Sequence, residues 1–191
     1  MKTFLFLLIL IPNLSFSQKE KIKYWSEKDT LQFEDFKGVY KKQDSNSADA
    51  TSILTIKLES VKNNNTFFNV YALFNINRSS FFKIKSFYVL KHEQLHFDIT
   101  ELFTRKIRNE FYNSYKKNTK TKLTDLYSIY NKYITLYRNF QKKYDLETSY
   151  TRNFQNQQKW NKKVKIELEN LKEFSNEKYL EKMKRLLNNK N

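Results

Sequence analysis

From Lys85 to Tyr115 the chain contains neither glycine nor proline, and Leu95, Ile99, Leu102 and Phe103 recur at three- and four-residue spacing. That pattern predicts a long amphipathic helix with an apolar stripe turned to the core, and Lys91, Arg105, Lys106 and Arg108 fit its outer side. Within the run lies Leu90-Lys91-His92-Glu93-Gln94-Leu95-His96-Phe97-Asp98-Ile99, an H-E-x-x-H motif that holds the only two histidines of the chain. Helix positions four apart sit one turn above each other, so His92 and His96 can offer their imidazoles to one metal ion. Glu93 then stands beside that ion, placed to take a proton from an attacking water. The plain alternative is a pair of buried histidines satisfied by hydrogen bonds.

The start of the chain frames where such a helix would work. Met1-Lys2-Thr3 is followed by an apolar run from Phe4 to Ile11, then Pro12, then the small residues of Ser15-Phe16-Ser17. This order predicts a secretory signal peptide, residues 1–17, cleaved between Ser17 and Gln18. The run is too short to span a bilayer, and with no cysteine in the chain neither a lipid anchor nor a disulfide is expected. Cleavage would leave 18–191 as a single secreted or periplasmic domain and, with Lys2 gone, lower the net charge from +16 to +15. A surface this basic adheres to polyanions, but its lysines are scattered and no nucleic-acid motif appears, so no specific nucleic-acid partner is expected.

The rest of the chain reads as α+β. Aromatic and polar residues alternate from Ile22 to Trp25 and from Leu31 to Phe36, predicting an extended arm that the only glycine, Gly38, ends at a turn. A polar loop from Lys41 to Ala48 follows. Two alternating runs, Thr51 to Val61 and Thr66 to Ile76, flank Asn63-Asn64-Asn65 and predict a β-hairpin, joined by the arm into a small antiparallel sheet. Beyond the motif helix, Leu123 to Tyr144 carries a tyrosine-rich helical stripe that fits a core face. After a break at Asp145 to Tyr150 come a helix with Phe154, Trp160, Val164 and Leu168, and a last amphipathic piece, Tyr179 to Leu187.

Two histidines do not complete a catalytic zinc site, which has three protein ligands and one open position. Position 102, where an extended form of the motif carries a third histidine, is Leu102. The remaining ligand must be an oxygen. Helix geometry turns Asp98 and Glu101 away from the histidine face, which leaves Asp145 and Glu147 at the later helix break.

Leu90 to Glu101, then Tyr144-Asp145-Leu146-Glu147-Thr148, Gln157 and Trp160, together resemble a bacterial family, the domain of unknown function 922. Its members are described as secreted zinc-dependent proteases. Trp25, the segment from Leu31 to Gly38 and the leader agree with it as well. The resemblance implies a zincin-like fold, a small sheet followed by the long active-site helix and further helices, with bound Zn2+ and a peptide or protein substrate. It favours Glu147 as the third ligand and Asp145 as the partner that orients a ligand histidine. Where the family pattern carries a histidine, this chain has Tyr150. Tyr144, Tyr150 or a basic side chain would serve the oxyanion.

The expectation is a monomeric zinc peptidase with His92, His96 and Glu147 as ligands and Glu93 as general base. Two rivals stand beside it. One is a zinc-binding relative without catalysis; the other is a basic polyanion-binding module whose histidine pair is structural.

Overall fold

A computed structural model describes residues 20–39, 48–60, 66–81, 85–118 and 120–188. The predicted leader, most of the polar loop after Lys41 and the asparagine turn at 63–65 lie outside the described residues. Three antiparallel strands form the main sheet: β1 (Ile22–Tyr24), β3 (Ser52–Ser60) and β4 (Thr66–Asn75), in the order β1-β4-β3. Leu54 faces Ala72 and Ile56 faces Val70, the pairing that the two alternating runs require. β4 lies in the middle, and this fits its apolar character on both faces. A second, two-stranded ribbon pairs β2 (Ala48–Asp49) with β5 (Ser80–Phe81).

Four helices follow: α1 (Phe87–Lys117), α2 (Leu123–Glu147), α3 (Phe154–Asn170) and α4 (Asn176–Asn188). α1 is the axis of the molecule. Leu95, Ile99, Phe103, Ile107 and Phe111 face the larger apolar core with Phe67 and Val70 of β4 and Trp160 and Val164 of α3. Leu90 and Phe97 enter a smaller cluster with Leu31, Ala72 and Phe74. The N-terminal arm is tied to α1 by polar bonds: Trp25 Nε1 donates to Asp98 (2.8 Å), and the Leu31 amide donates to Gln94 (2.6 Å). The tyrosine stripe of α2 packs from Tyr130 to Tyr144, where Tyr130 donates to the Leu54 carbonyl, whereas Leu123 and Tyr127 near its start are exposed, against the expectation of a core face over the whole stripe. No described helix is long and apolar enough to cross a membrane.

Three further sequence expectations change. Arg105 and Arg108 do not face water; both are buried, because Glu101 and backbone carbonyls satisfy them. α2 does not stop at Asp145 but runs through Glu147, and the break falls at Thr148 to Asn153. Gly38 is required for space and not for a left-handed angle. Its amide donates to the Ser79 carbonyl, and a Cβ there would lie 2.8 Å from that same oxygen.

Candidate metal centre

His92 and His96 project from α1 towards α2, and Asp145, in the last turn of α2, projects back between them. His92 Nε2 lies 3.2 Å from His96 Nε2, and Asp145 Oδ1 lies 3.3 and 3.0 Å from those two atoms. Ligands at about 2.0 Å around a tetrahedral ion are about 3.3 Å apart. The three atoms are therefore spaced as one face of such a tetrahedron. Among the described residues, this is the one group of three His, Cys, Asp or Glu side chains placed to share a metal ion.

The tautomers follow from the neighbours. Gln141 on α2 donates through Nε2 to the His96 carbonyl (2.9 Å) and the Tyr137 hydroxyl (3.1 Å). Its Oε1 is thereby turned to accept from His96 Nδ1 at 2.6 Å. Gln157 on α3 donates to Asn161 (2.8 Å), and its Oε1 lies 3.0 Å from His92 Nδ1, which also meets the Tyr144 hydroxyl at 2.7 Å. His96 therefore carries hydrogen on Nδ1 and turns its Nε2 lone pair towards His92 and Asp145. With hydrogen on Nδ1 of His92 as well, the three facing atoms are all acceptors, an arrangement that a cation or an added proton satisfies. The donor set, two imidazoles and one carboxylate, suits zinc and leaves one tetrahedral position open.

Metal-free electrostatics follow the same geometry. Burial alone would lower the His96 pKa, but the Asp145 hydrogen bond and the charges of Glu93 and Asp145 outweigh it and raise it. Burial would raise Asp145; hydrogen bonds from the two histidines, and their charge, bring it down to about 2. Glu93 is pushed up by burial, with His96 and His92 opposing and Asp145 and Asp49 adding to the rise. Among the described residues the Glu93 side chain has no hydrogen-bond or ion-pair partner, yet it lines the cleft. This cleft, about 340 Å³, is bounded by His92, Glu93, His96 and Asp145, by Ala48 to Ala50 and Ser52 on the strand side, and by Arg138, Tyr150 and Thr151.

Placement separates the expected site residues. Asp145 sits against both histidines as a prospective ligand, the part the sequence reading had given to Glu147. Two residues apart on a helix is about 200° of rotation, so one of the two must face away once α2 continues through both. Glu147 is the one turned away: its carboxylate accepts from Trp160 Nε1 (2.9 Å) and lies 3.6 Å from Lys143. Tyr144 is not free for an oxyanion. Its ring stacks on His92, and its hydroxyl donates to Gln157 at 2.8 Å, behind the imidazole. Burial drives that hydroxyl far above the ordinary tyrosine range, so it stays protonated. Tyr150 does border the cleft. It belongs to Ser149-Tyr150-Thr151, three consecutive non-glycine residues at φ 50, 49 and 78°. Such left-handed runs are costly and mark segments that their surroundings hold in place. Here the Tyr150 amide donates to the Asp145 carbonyl (2.9 Å), and Asn153 donates back to Thr148 before capping α3.

Gln141 was missed by the sequence reading, although a polar residue four positions before Asp145 inside an otherwise aromatic stripe was its signal. No family model, curated protein or solved structure matches this chain.

Proposed function

We propose that this chain is a zinc-dependent peptidase of zincin-like fold, exported by its leader and working as a monomer. The observation that carries the reading is the conjunction of a three-atom tetrahedral face with an unpartnered, buried Glu93 on the same cleft wall. His92, His96 and Asp145 would hold the ion. Bound there, zinc supplies a Lewis acid that acidifies water and polarises a carbonyl.

The protein's own groups account for the rest. Glu93 takes the proton of the attacking water and hands it to the leaving amine; its raised pKa brings it closer to the neutral range where that exchange is efficient. Gln141 and Gln157 hold the imidazole rings and their tautomers. Tyr150, on a cleft wall fixed by its left-handed turn, offers a hydroxyl donor to a developing oxyanion. The likeness of the motif and its flanks to the secreted protease family supports the same reading.

Elemental analysis of folded protein, with and without His96→Ala, tests the site. About one zinc per chain, lost in the variant, is expected; folded, zinc-replete protein without metal would sink the proposal. A second reading has its own observation, the His96–Asp145 pair at 3.0 Å, which a proton alone can satisfy. On that reading the cluster is structural, and zinc would neither bind nor raise the Tm.

A further inference from the structure

The cleft lining carries three carboxylates, Asp49, Glu93 and Asp145, of which a bound dication would compensate the last two, and one arginine, Arg138. The chain has six arginines. Arg78, Arg105, Arg108 and Arg185 each meet a carboxylate, whereas among the described residues Arg138 and Arg152 have no ion pair. One of these two lines the cleft, and the other follows Thr151 of its wall. Arg138 therefore carries an unspent planar donor fork, the group best suited to grip a carboxylate in two-point fashion. A second orphan shares the cleft: Ser52 Oγ is buried without a hydrogen-bond partner.

Helix geometry sets the distance. Arg138 precedes Asp145 by seven residues on α2, close to two turns, so it lies on the same side of the helix about 10 Å along the axis. An extended peptide covers that span in about three residues. The basic surface, net +16 for the chain, favours the approach of an acidic ligand over a basic one.

We propose that Arg138 is a carboxylate-binding subsite of this cleft and that its substrates are peptides bearing a carboxylate about three residues from the bond that is cut. The inference rests on the peptidase reading for its substrate, but binding alone can test it. The carboxylate comes from an Asp or Glu side chain or from a peptide C-terminus, and the subsite recognises what they share.

The probes are peptide sets carrying Asp or Glu at each position in turn, and matched sets with Asn or Gln, each with a free or an amidated C-terminus. Binding is measured by calorimetry to zinc-loaded Glu93→Gln protein, and cleavage separately with the unaltered protein. At least about tenfold tighter binding of the carboxylate form is expected, weakening with salt. The ratio should fall towards one when Arg138→Gln is added, and recover in part with Arg138→Lys. An effect seen only with free C-termini assigns the subsite to chain ends; one that persists with amidated peptides assigns it to side chains. Equal binding of the charged and amide sets, or preference for Lys- and Arg-containing peptides, overturns the subsite. Charge-dependent binding without cleavage of any peptide overturns the peptidase reading and leaves the subsite standing. Cleavage without charge preference does the reverse, and neither binding nor cleavage overturns both.

Discussion

α1 carries two buried polar clusters about two to three turns apart, and they are built on opposite principles. Around Glu101 every charge is answered. Its carboxylate accepts from Arg105 Nε (2.9 Å) and Arg108 Nη1 (3.1 Å), while the carbonyls of Leu168, Val70 and Phe174 take the arginines' further hydrogens. Around His92 two imidazole nitrogens and a carboxylate oxygen converge within 3.3 Å, and among the described residues the Glu93 side chain beside them has no hydrogen-bond or ion-pair partner. The first cluster ties α1 to β4, to the end of α3 and to the segment after it, and it is complete without any ligand. The second converges donor atoms suited to an ion and leaves the Glu93 carboxylate unanswered among the described residues. Buried polarity in one helix thus serves cohesion at one end and readiness for a ligand at the other.

The sharpest break between the two is Glu93→Gln. Loss of the general base should cut turnover by about 100- to 10,000-fold, with zinc content and Tm close to those of the unaltered protein. Activity within tenfold of the original would remove Glu93 from the mechanism. Glu101→Gln should do the opposite. It strands two buried guanidiniums and should cost about 3–5 kcal/mol in denaturant unfolding, the range for breaking a buried pair. Any protein that still folds should keep its zinc. Little change in unfolding free energy would mean that the carbonyls alone satisfy the arginines.

A smaller effect separates the groups behind the ligands. Gln141→Ala frees the His96 ring and its tautomer, and should weaken zinc about 10- to 100-fold in a competition titration against a chelator. Glu147→Gln should leave zinc affinity unchanged, because that carboxylate is occupied with Trp160. A loss of zinc on Glu147→Gln matching that of Asp145→Asn would restore Glu147 as a ligand and overturn the assignment made here.

That pair also shows what the sequence can and cannot reveal. His92 and His96 were legible because their spacing needs only a helix, and the three- and four-residue recurrence of Leu95, Ile99, Leu102 and Phe103 points to one. The hairpin was legible because alternation fixes which strand positions pair. Asp145 and Glu147 could not be separated, since their directions depend on how far α2 continues, and helix ends are weakly encoded. The Thr148 to Asn153 turn has no glycine to announce its left-handed residues. Arg105 and Arg108 were assigned outward because isolated charges belong there. Their burial depends on Glu101, spaced four and seven residues before them, and on carbonyls supplied from β4, α3 and the segment after it. The sequence places the charges on one face but does not place those carbonyls.

The gentlest test is pH, and it separates proton from metal as the occupant of the histidine cluster. In metal-free protein His96 titrates above its usual 6.5, so its contribution to stability is full below that value and fades as pH rises through the raised pKa. Asp145 titrates at about 2 against a usual 3.8, so its contribution is present above about pH 4 and fades as pH falls towards 2. Without metal, this cluster should therefore stabilise the fold most between about pH 4 and 6.5, and the Tm should decline modestly as pH rises beyond that window. Zinc needs the same Nε2 atom unprotonated, so in its presence the trend should invert, with the rise in Tm on adding zinc growing from pH 5 to 8. Parallel pH profiles with and without zinc would mean that the ion does not sit between the histidines, because a ligand that displaces no proton there cannot change the proton's effect.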